Sequence, residues 1–288
     1  MKQFTSLRKK EKKYSSNDPF LTNSGAAMKR TAVIVLLTDF GLTDHYVASV
    51  KGTILSIAPR VTMVDLSHDV AAQNVDQAAF LLWSSYSYFP PGTLFVCVVD
   101  PGVGSGRRIL YAEARGYSFL VPDNGILKFV SSDQAPSRII DVRNTKYFLK
   151  KRSTTFHGRD IFAPVAAHLA LGLPARKLGK ETSSAIAPER FIRVRRGAGK
   201  EYDGKVLHID HFGNIVTNFA PGPQPAGFTL HLGKKKVTNF SRTYEGARPG
   251  SPFMILGSSG LLEVSIRNGN AAAVLDGHLN QSARLRIR

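Results

Sequence analysis

Apolar residues in the N-terminal part of the chain follow the pattern of buried strands alternating with helices. Residues 32–37 and 93–99 are continuous apolar runs that contain β-branched side chains, which is typical of strands buried on both faces. A further strand is predicted over 61–66, and helical spacing is found over 44–57 and 74–86. This alternation predicts an α/β fold with a largely parallel sheet and helices on both of its faces.

Shorter apolar segments follow this first part. An Ala-rich helix is predicted over 161–171, and strand-like pieces over 109–113, 118–121, 126–130 and 139–142. From about residue 203, short apolar segments alternate with turns that contain Gly or Pro. This pattern predicts a smaller, all-β, barrel-like domain at the C-terminus.

Charge and polarity divide the chain into three parts. Residues 1–30 carry eight Lys or Arg against Glu11 and Asp18 and show no periodicity, so we predict a disordered basic extension. Met28 is an alternative start. Residues 31–190 form the predicted α/β domain and 200–288 the β-barrel-like domain, with a polar linker between them.

The formal net charge of +18 over 288 residues raises the question of nucleic-acid binding. Outside the extension the positive charge is dispersed, and aromatic residues are not interleaved with it as in single-strand binders. We therefore rank nucleic-acid binding below a small-molecule enzyme.

The chain shows no targeting or membrane signal. It has no apolar run of the roughly 18 residues that a membrane helix needs and no apolar secretion signal. We therefore expect a cytoplasmic protein without a membrane partner. Cys97 is the only cysteine and lies in an apolar run, which favours a buried structural thiol over a nucleophile.

Two carboxylates come directly after predicted parallel strands, at the sheet edge where ligands of such folds bind. Asp39 can accept hydrogen bonds from ribose hydroxyls, or it can cap the following helix. Asp100 opens a glycine-rich loop that ends in Arg107. Asp and Arg at the two ends of a tight loop can meet, either as a structural ion pair or as part of a site.

A histidine precedes the predicted helix 161–171. His157 stands in the segment Phe156-His157-Gly158-Arg159-Asp160, and histidine is the side chain best suited to proton transfer near pH 7. A packing role at the helix start is the alternative. Because no His-x-x-x-His or equivalent spacing occurs, we expect no metal site.

The C-terminal domain has one polar cluster. Asp210 and Asn214 lie in one turn and can hold an amino-acid head group, or they can simply form a polar turn.

Five segments together resemble a known family. Thr38–Gly41, Val99–Gly104, Pro122–Gly125, Thr155–Asp160 and Asp210–Asn214 occur in order and at suitable separations. They resemble the S-adenosylmethionine (SAM) hydroxide adenosyltransferases, also called adenosine-forming SAM hydrolases, which are related to the SAM-dependent fluorinase and chlorinase. The resemblance covers about residues 31–288 and makes residues 31–190 the SAM-binding α/β domain.

The resemblance implies that SAM is the substrate, that no cofactor is needed, and that the protein is a homotrimer. In the family, SAM lies between the N-terminal domain of one subunit and the C-terminal domain of its neighbour. By position, Asp39 is expected to hold the ribose, and Phe156 to line the reacting carbon. The remaining residues implied to bind substrate are Asp210, Phe212, Asn214, Phe253, Ser258 and Asn268.

The catalytic triad of the hydrolase branch falls on Asp100, Arg107 and His157, which indicates water rather than halide as nucleophile. Two alternatives remain open at this point: a chlorinase-like halogenase and a non-catalytic protein that binds SAM or adenosine. Arg267 departs from the family pattern before the Gly269-Asn270-Ala271 turn and leaves the adenine-end assignments open.

Overall fold

The computed structural model describes residues 32–182, 187–194, 199–222 and 227–287. The predicted basic extension over residues 1–30 lies outside the described residues, as does part of the predicted linker.

The first sheet is mixed and contains seven strands. Its strands are β1 (Val33–Thr38), β2 (Thr62–Ser67), β3 (Leu94–Val98), β4 (Ile109–Ala114), β5 (Tyr117–Pro122), β6 (Arg138–Val142) and β7 (Gly179–Glu181), in the spatial order β2-β1-β3-β5-β4-β6-β7. The strands β2, β1, β3 and β5 are parallel, whereas β4, β6 and β7 pair antiparallel with their neighbours.

The antiparallel half arises at a tight hairpin. Arg115 and Gly116 connect β4 to β5, and both have positive φ, 54° and 81°, as the favoured two-residue hairpin turns require. Gly116 adopts this conformation without steric cost. Because Arg at the first turn position is not a usual hairpin signal, the sequence pattern did not reveal the reversal.

Helices cover both faces of this sheet, which confirms the predicted α/β class. They are α1 (Tyr46–Ile57), α2 (Val75–Ser85), α3 (Lys128–Asp133) and α4 (Ala163–Ala170), with a π-helical turn over Gly158–Phe162 and 3₁₀ turns over Tyr86–Tyr88, Thr145–Tyr147 and Ala175–Lys177. Side chains of β1 point alternately to the two cores. Val35 and Leu37 pack with α2 and α3, and Ile34 and Leu36 with α1 and α4.

The strand predicted over 126–130 is wrong, because α3 begins there at Lys128. Its first turn is closed by hydrogen bonds from the Lys128 amide to Gly125 and from the Ser131 amide to Leu127. A five-residue apolar run is too short for its periodicity to separate a strand from a buried helix.

The second sheet is antiparallel and nearly closed, as predicted for a barrel-like domain. Its strands are β9 (Glu201–Ile209), β10 (Ile215–Thr217), β12 (Phe228–Leu232), β13 (Lys235–Val237), β14 (Pro252–Leu256), β15 (Leu262–Ile266) and β16 (Ser282–Ile287), in the order β13-β12-β16-β9-β10-β15-β14. A bridge between Phe240 and Met254 brings the segment after β13 against the other edge strand. The short helix α5 (Ala271–Leu275) was not predicted.

Polar side chains connect the two sheets. The strands β8 (Ile192–Arg193) and β11 (Phe219–Ala220) pair parallel beside the second sheet. Asp76 of α2 forms ion pairs with Lys128 of α3 and Lys205 of β9. Because Lys205 belongs to the second sheet, these ion pairs link α2 and α3 to that sheet.

Cys97 is completely buried in β3, and burial raises the pKa of its thiol, in keeping with a structural role. No helix in the described part of the chain is long and apolar enough to cross a membrane.

Candidate active site

Adjacent strand ends bring the first two predicted carboxylates together. Thr38 of β1 lies opposite Val98 of β3, so Asp39 and Asp100 follow neighbouring parallel strands at the same edge of the sheet. The Asp39 Oδ2 atom accepts a hydrogen bond of 2.8 Å from the Gln73 amide. The alternative role of Asp39 as a helix cap is wrong, because α1 begins after His45.

Asp100 and Arg107 form a buried ion pair across the glycine-rich loop. The Arg107 Nε atom donates to both carboxylate oxygens of Asp100, at 2.8 and 2.7 Å, and Arg107 Nη2 also bonds to Oδ2. The two side chains are only 5% and 11% exposed for Asp100 and Arg107, respectively. The carboxylate therefore fixes the guanidinium group in one plane.

His157 completes the group. The Arg107 Nη2 atom lies 3.2 Å from His157 Nδ1. A guanidinium group has donors only, so Nδ1 must accept, and the neutral ring then carries its hydrogen on Nε2. Burial and the positive charge of Arg107 lower the pKa of His157, against the opposing charge of Asp100. The ring is therefore neutral at pH 7.

Two glycines allow the loops of this site to approach each other. Gly104 has φ of +79°, and a Cβ atom there would lie 2.5 Å from the carbonyl oxygen of Thr154. A Cβ atom at Gly158 would lie 3.2 Å from the Phe40 ring. The loop after β3 thus packs on the segment that carries His157, and that segment packs on the loop after β1.

Phe156 lies in an aromatic cluster beside the triad. Its ring is T-shaped to those of Phe40 and Tyr46, with centroids 5.9 and 5.1 Å away. The Arg159 guanidinium lies 5.0 Å from the Phe156 ring centroid and pairs with the buried Asp160 carboxylate. Asp160 also accepts from the Ser153 amide at 2.7 Å, so one carboxylate fixes both ends of the segment around His157.

A second group of predicted residues lies in the C-terminal domain. The Asp210 carboxylate accepts from the Phe212 amide at 3.0 Å and from the amide and side chain of Asn214, both at 2.8 Å. A cavity of about 630 Å³ opens at this turn and is lined by Asp210, Phe212, Asn214, Tyr244, Glu245, Ile266, Arg267, Asn268 and Gly269.

The other two predicted residues do not line this cavity. Phe253 is buried in β14, with its ring centroid 6.3 Å from that of Tyr244, which does line it. Ser258 is exposed in the turn between β14 and β15. Arg267, the departure from the family pattern, bonds to the carbonyl and carboxylate of Glu245 at the cavity wall.

Sequence reasoning missed Glu263. It is buried in β15, and the Tyr244 hydroxyl donates to its Oε2 atom at 3.5 Å. Burial and the negative charge of Asp210 raise the pKa of Glu263 to about 7. The available signal was a carboxylate within the mainly apolar segment 261–266, because a charged residue is rarely buried unless it has a partner.

The two groups of residues lie in separate cavities of the chain. Arg107 and His157 line one of about 250 Å³, whose described lining comes only from the N-terminal domain. The cavity at Asp210 is lined only by described residues of the C-terminal domain. Within residues 32–182, 187–194, 199–222 and 227–287, no group of three His, Cys, Asp or Glu side chains is placed to hold a metal ion.

Both domains match models of one protein family. The model for the SAM hydroxide adenosyltransferase N-terminal domain matches residues 34–179, and that for the C-terminal domain matches residues 204–284. These matches cover most of the chain, and the protein belongs to the SAM hydroxide adenosyltransferase family. This confirms the resemblance inferred from the five segments.

Individual relatives agree with this class. An (R)-S-adenosyl-L-methionine hydrolase of Thermus thermophilus is 37% identical over 249 residues, which are 84% of this chain and 94% of the relative. A fluorinase of Actinoplanes sp. is 29% identical over 215 residues, covering 65% and 71% of the two chains. An uncharacterized conserved protein from Thermotoga maritima has a solved structure with a TM-score of 0.78 and 32% identity, covering 88% of this chain and 99% of that one.

Proposed function

We propose that this protein is an enzyme that hydrolyses SAM to adenosine and methionine, by attack of water or hydroxide on the 5′ carbon of the ribose. Family membership supplies the substrate class. The observation that carries the choice of reaction is the contact group of Asp100, Arg107 and His157 beside the strand-end carboxylate Asp39.

The chemistry requires a nucleophile more than it requires an acid. Attack at the 5′ carbon breaks the bond to the sulfonium and releases methionine as a neutral thioether, so the leaving group needs no proton. Bulk water has a pKa of about 15.7, and hydroxide is scarce at pH 7. A site that favours hydroxide by charge and fixes it behind the 5′ carbon therefore provides the main rate gain.

The observed hydrogen bonds support a separate role for each member of the triad. Asp100 orients the Arg107 guanidinium, whose permanent positive charge stabilises hydroxide. Because His157 accepts from Arg107 at Nδ1, its Nε2 atom carries a hydrogen and donates to the same oxygen. In this state His157 holds the nucleophile, and it acts as a base only after its bond to Arg107 is released.

The remaining residues would bind the substrate. Asp39 would accept hydrogen bonds from the ribose hydroxyls, and this role is supported by its second carboxylate oxygen, which makes no hydrogen bond within the described residues. Phe156 supplies an apolar wall, which strengthens the charges around the reacting carbon. The C-terminal cavity holds the other parts of the substrate through Asp210, Phe212, Asn214 and Asn268, with Phe253 behind Tyr244. The role proposed for Ser258 rests on its position in the family pattern.

The separate cavities support a site completed by a second subunit, in a homotrimer. We call the triad with Asp39 the N-terminal half-site and the cavity at Asp210 the C-terminal half-site. Large apolar side chains are exposed near both: Leu42, in the loop after β1, is 68% exposed, and Phe212 is 73% exposed. Exposed apolar groups around a half-formed site are typical of a surface covered by a partner. In this arrangement the C-terminal cavity of one subunit faces the triad of its neighbour.

The test of the function is product analysis. The full chain is incubated with SAM in chloride-free buffer made with ¹⁸O-labelled water, and nucleosides are identified by mass. Adenosine labelled at the 5′ oxygen, together with methionine, is the expected result.

Other products would overturn the proposal. A chlorinated nucleoside formed only on addition of chloride would indicate a halogenase, and bound but unreacted SAM would indicate a non-catalytic binding protein. A sample without protein measures background hydrolysis. A parallel sample of His157→Ala, which retains the Asp100–Arg107 pair, tests whether the product depends on the triad.

A further inference from the structure

A groove between the two domains contains charged side chains that the hydrolysis does not use. Its walls are the end of α2, the end of α3, the segment that leads into β8, and the turn between β14 and β15. It encloses about 310 Å³ and is lined by Trp83, Ser132, Asp133, Arg190, Phe191, Arg193, Ala220, Ser259, Gly260 and Leu261. None of these residues lines either half-site cavity.

The groove carries two arginines without acidic partners. Within the described part of the chain, the side chains of Arg190 and Arg193 form no ion pair, whereas the nearby Lys128 pairs with Asp76 and Glu189. Two guanidinium groups without acidic partners on the wall of one groove are suited to binding a phosphate group.

Among the described residues that line the groove, Asp133 is the one carboxylate, and it is already engaged. Asp133 accepts from the Trp83 indole at 2.9 Å and from the Tyr86 hydroxyl at 3.2 Å. Among the described lining residues, two arginines against one carboxylate give an excess of positive charge. A dianion gains more from this excess than a carboxylate, which carries one charge.

A hydroxyl in the groove also has no partner. The Ser259 Oγ atom is buried and makes no hydrogen bond within the described residues. An unsatisfied buried hydroxyl is costly, and rotation of this short side chain offers it to a ligand oxygen. The wall also contains the apolar side chains of Trp83, Phe191 and Leu261, so the groove has room and surface for a small organic group beside the anion.

We propose that this interdomain groove binds a small phosphomonoester, with Arg190 and Arg193 holding the phosphate and Trp83 with Leu261 flanking its organic part. The site is distinct from that of SAM hydrolysis and does not depend on it.

Trp83 makes the proposal directly testable, because it is the only tryptophan in the chain and its fluorescence reports on this groove alone. The full-length protein is titrated with phenyl phosphate in a buffer free of phosphate. A saturable change is expected, with inorganic phosphate competing. Arg190→Ala and Arg193→Ala should each weaken binding about tenfold, the loss of one charge-assisted hydrogen bond.

The controls distinguish specific binding in this groove from nonspecific electrostatic binding of anions to a basic protein. Arg138→Ala removes a half-exposed arginine from β6, outside the groove, and should leave the affinity unchanged. Benzoate, which has the ring but a single charge, should bind at least about tenfold more weakly. The proposal is overturned if no saturable change occurs, if all three variants bind equally, or if benzoate matches phenyl phosphate.

Discussion

The two half-sites differ in how completely the chain itself holds them. In the N-terminal half-site, the side chains of Asp100 and Arg107 are almost fully buried and joined by several hydrogen bonds. Arg107 also forms a hydrogen bond with His157. In the C-terminal half, Asp210 is fixed by its own turn, but Phe212 projects into an open cavity.

This difference separates two tasks. A group that stabilises hydroxide must be in place before the reaction, since reorganisation during the reaction costs rate. A group that recognises substrate can be ordered by the ligand or by a second subunit. We therefore expect variants of the first half to lower kcat and variants of the second to raise KM.

The largest expected effect is on the triad. Arg107→Ala and His157→Ala should each lower kcat by about 100-fold or more, because each removes a donor from the position of the nucleophile. KM for SAM should change little, since neither side chain is assigned to the bound substrate. Steady-state kinetics of the two variants provides the measurement.

Folding must be monitored in the same experiment. Arg107→Ala leaves the Asp100 carboxylate buried without its cation, at a cost of about 3–5 kcal/mol in the free energy of unfolding. His157→Ala keeps that ion pair and so isolates the catalytic effect. If a folded His157→Ala enzyme retains wild-type kcat, the assignment of the triad is wrong.

A second prediction concerns pH and the C-terminal half alone. The pKa of Glu263 is about 7 in the folded protein, above its ordinary value of 4.5, so its stabilising contribution is complete below the ordinary pKa and is lost as pH rises through 7. Between pH 5 and 8 this group should reduce the free energy of unfolding by about 2–3 kcal/mol.

Denaturation of the wild type and Glu263→Gln at both pH values measures this contribution, because Gln cannot titrate. Glu181→Gln changes an exposed glutamate, 72% accessible in its side chain, and should behave like the wild type. Parallel pH dependence in wild type and Glu263→Gln would show that Glu263 is already ionised at pH 5.

The strand-end carboxylates were predictable from sequence because strands buried on both faces appear as continuous apolar runs. Once β1 and β3 are placed in one parallel sheet, Asp39 and Asp100 both follow strand ends at the same edge of that sheet. The contact of Asp100 with Arg107 followed from their position at the two ends of one tight loop.

Other features depend on the three-dimensional surroundings. The run 126–130 became the start of α3 because neighbouring turns and packing decided between strand and helix. Glu263 is a carboxylate in an otherwise mainly apolar buried strand. Its hydrogen bond to Tyr244 and its raised pKa depend on the folded positions of Tyr244 and Asp210, which the sequence alone does not give. The separation of the half-sites into two cavities likewise depends on the arrangement of the domains.

The smallest expected effect distinguishes recognition from folding at Phe212. Its ring is 73% exposed, so Phe212→Ala should change the free energy of unfolding by less than about 0.5 kcal/mol. If the ring covers bound SAM, its loss should raise KM by about two- to tenfold, the value of one aromatic contact.

Tyr88→Ala provides the matched control, because Tyr88 is 82% exposed and lies on the 3₁₀ turn after α2. Equal KM values in the two variants would place Phe212 outside the substrate site, and a loss of stability only in Phe212→Ala would indicate that the ring is covered by another subunit.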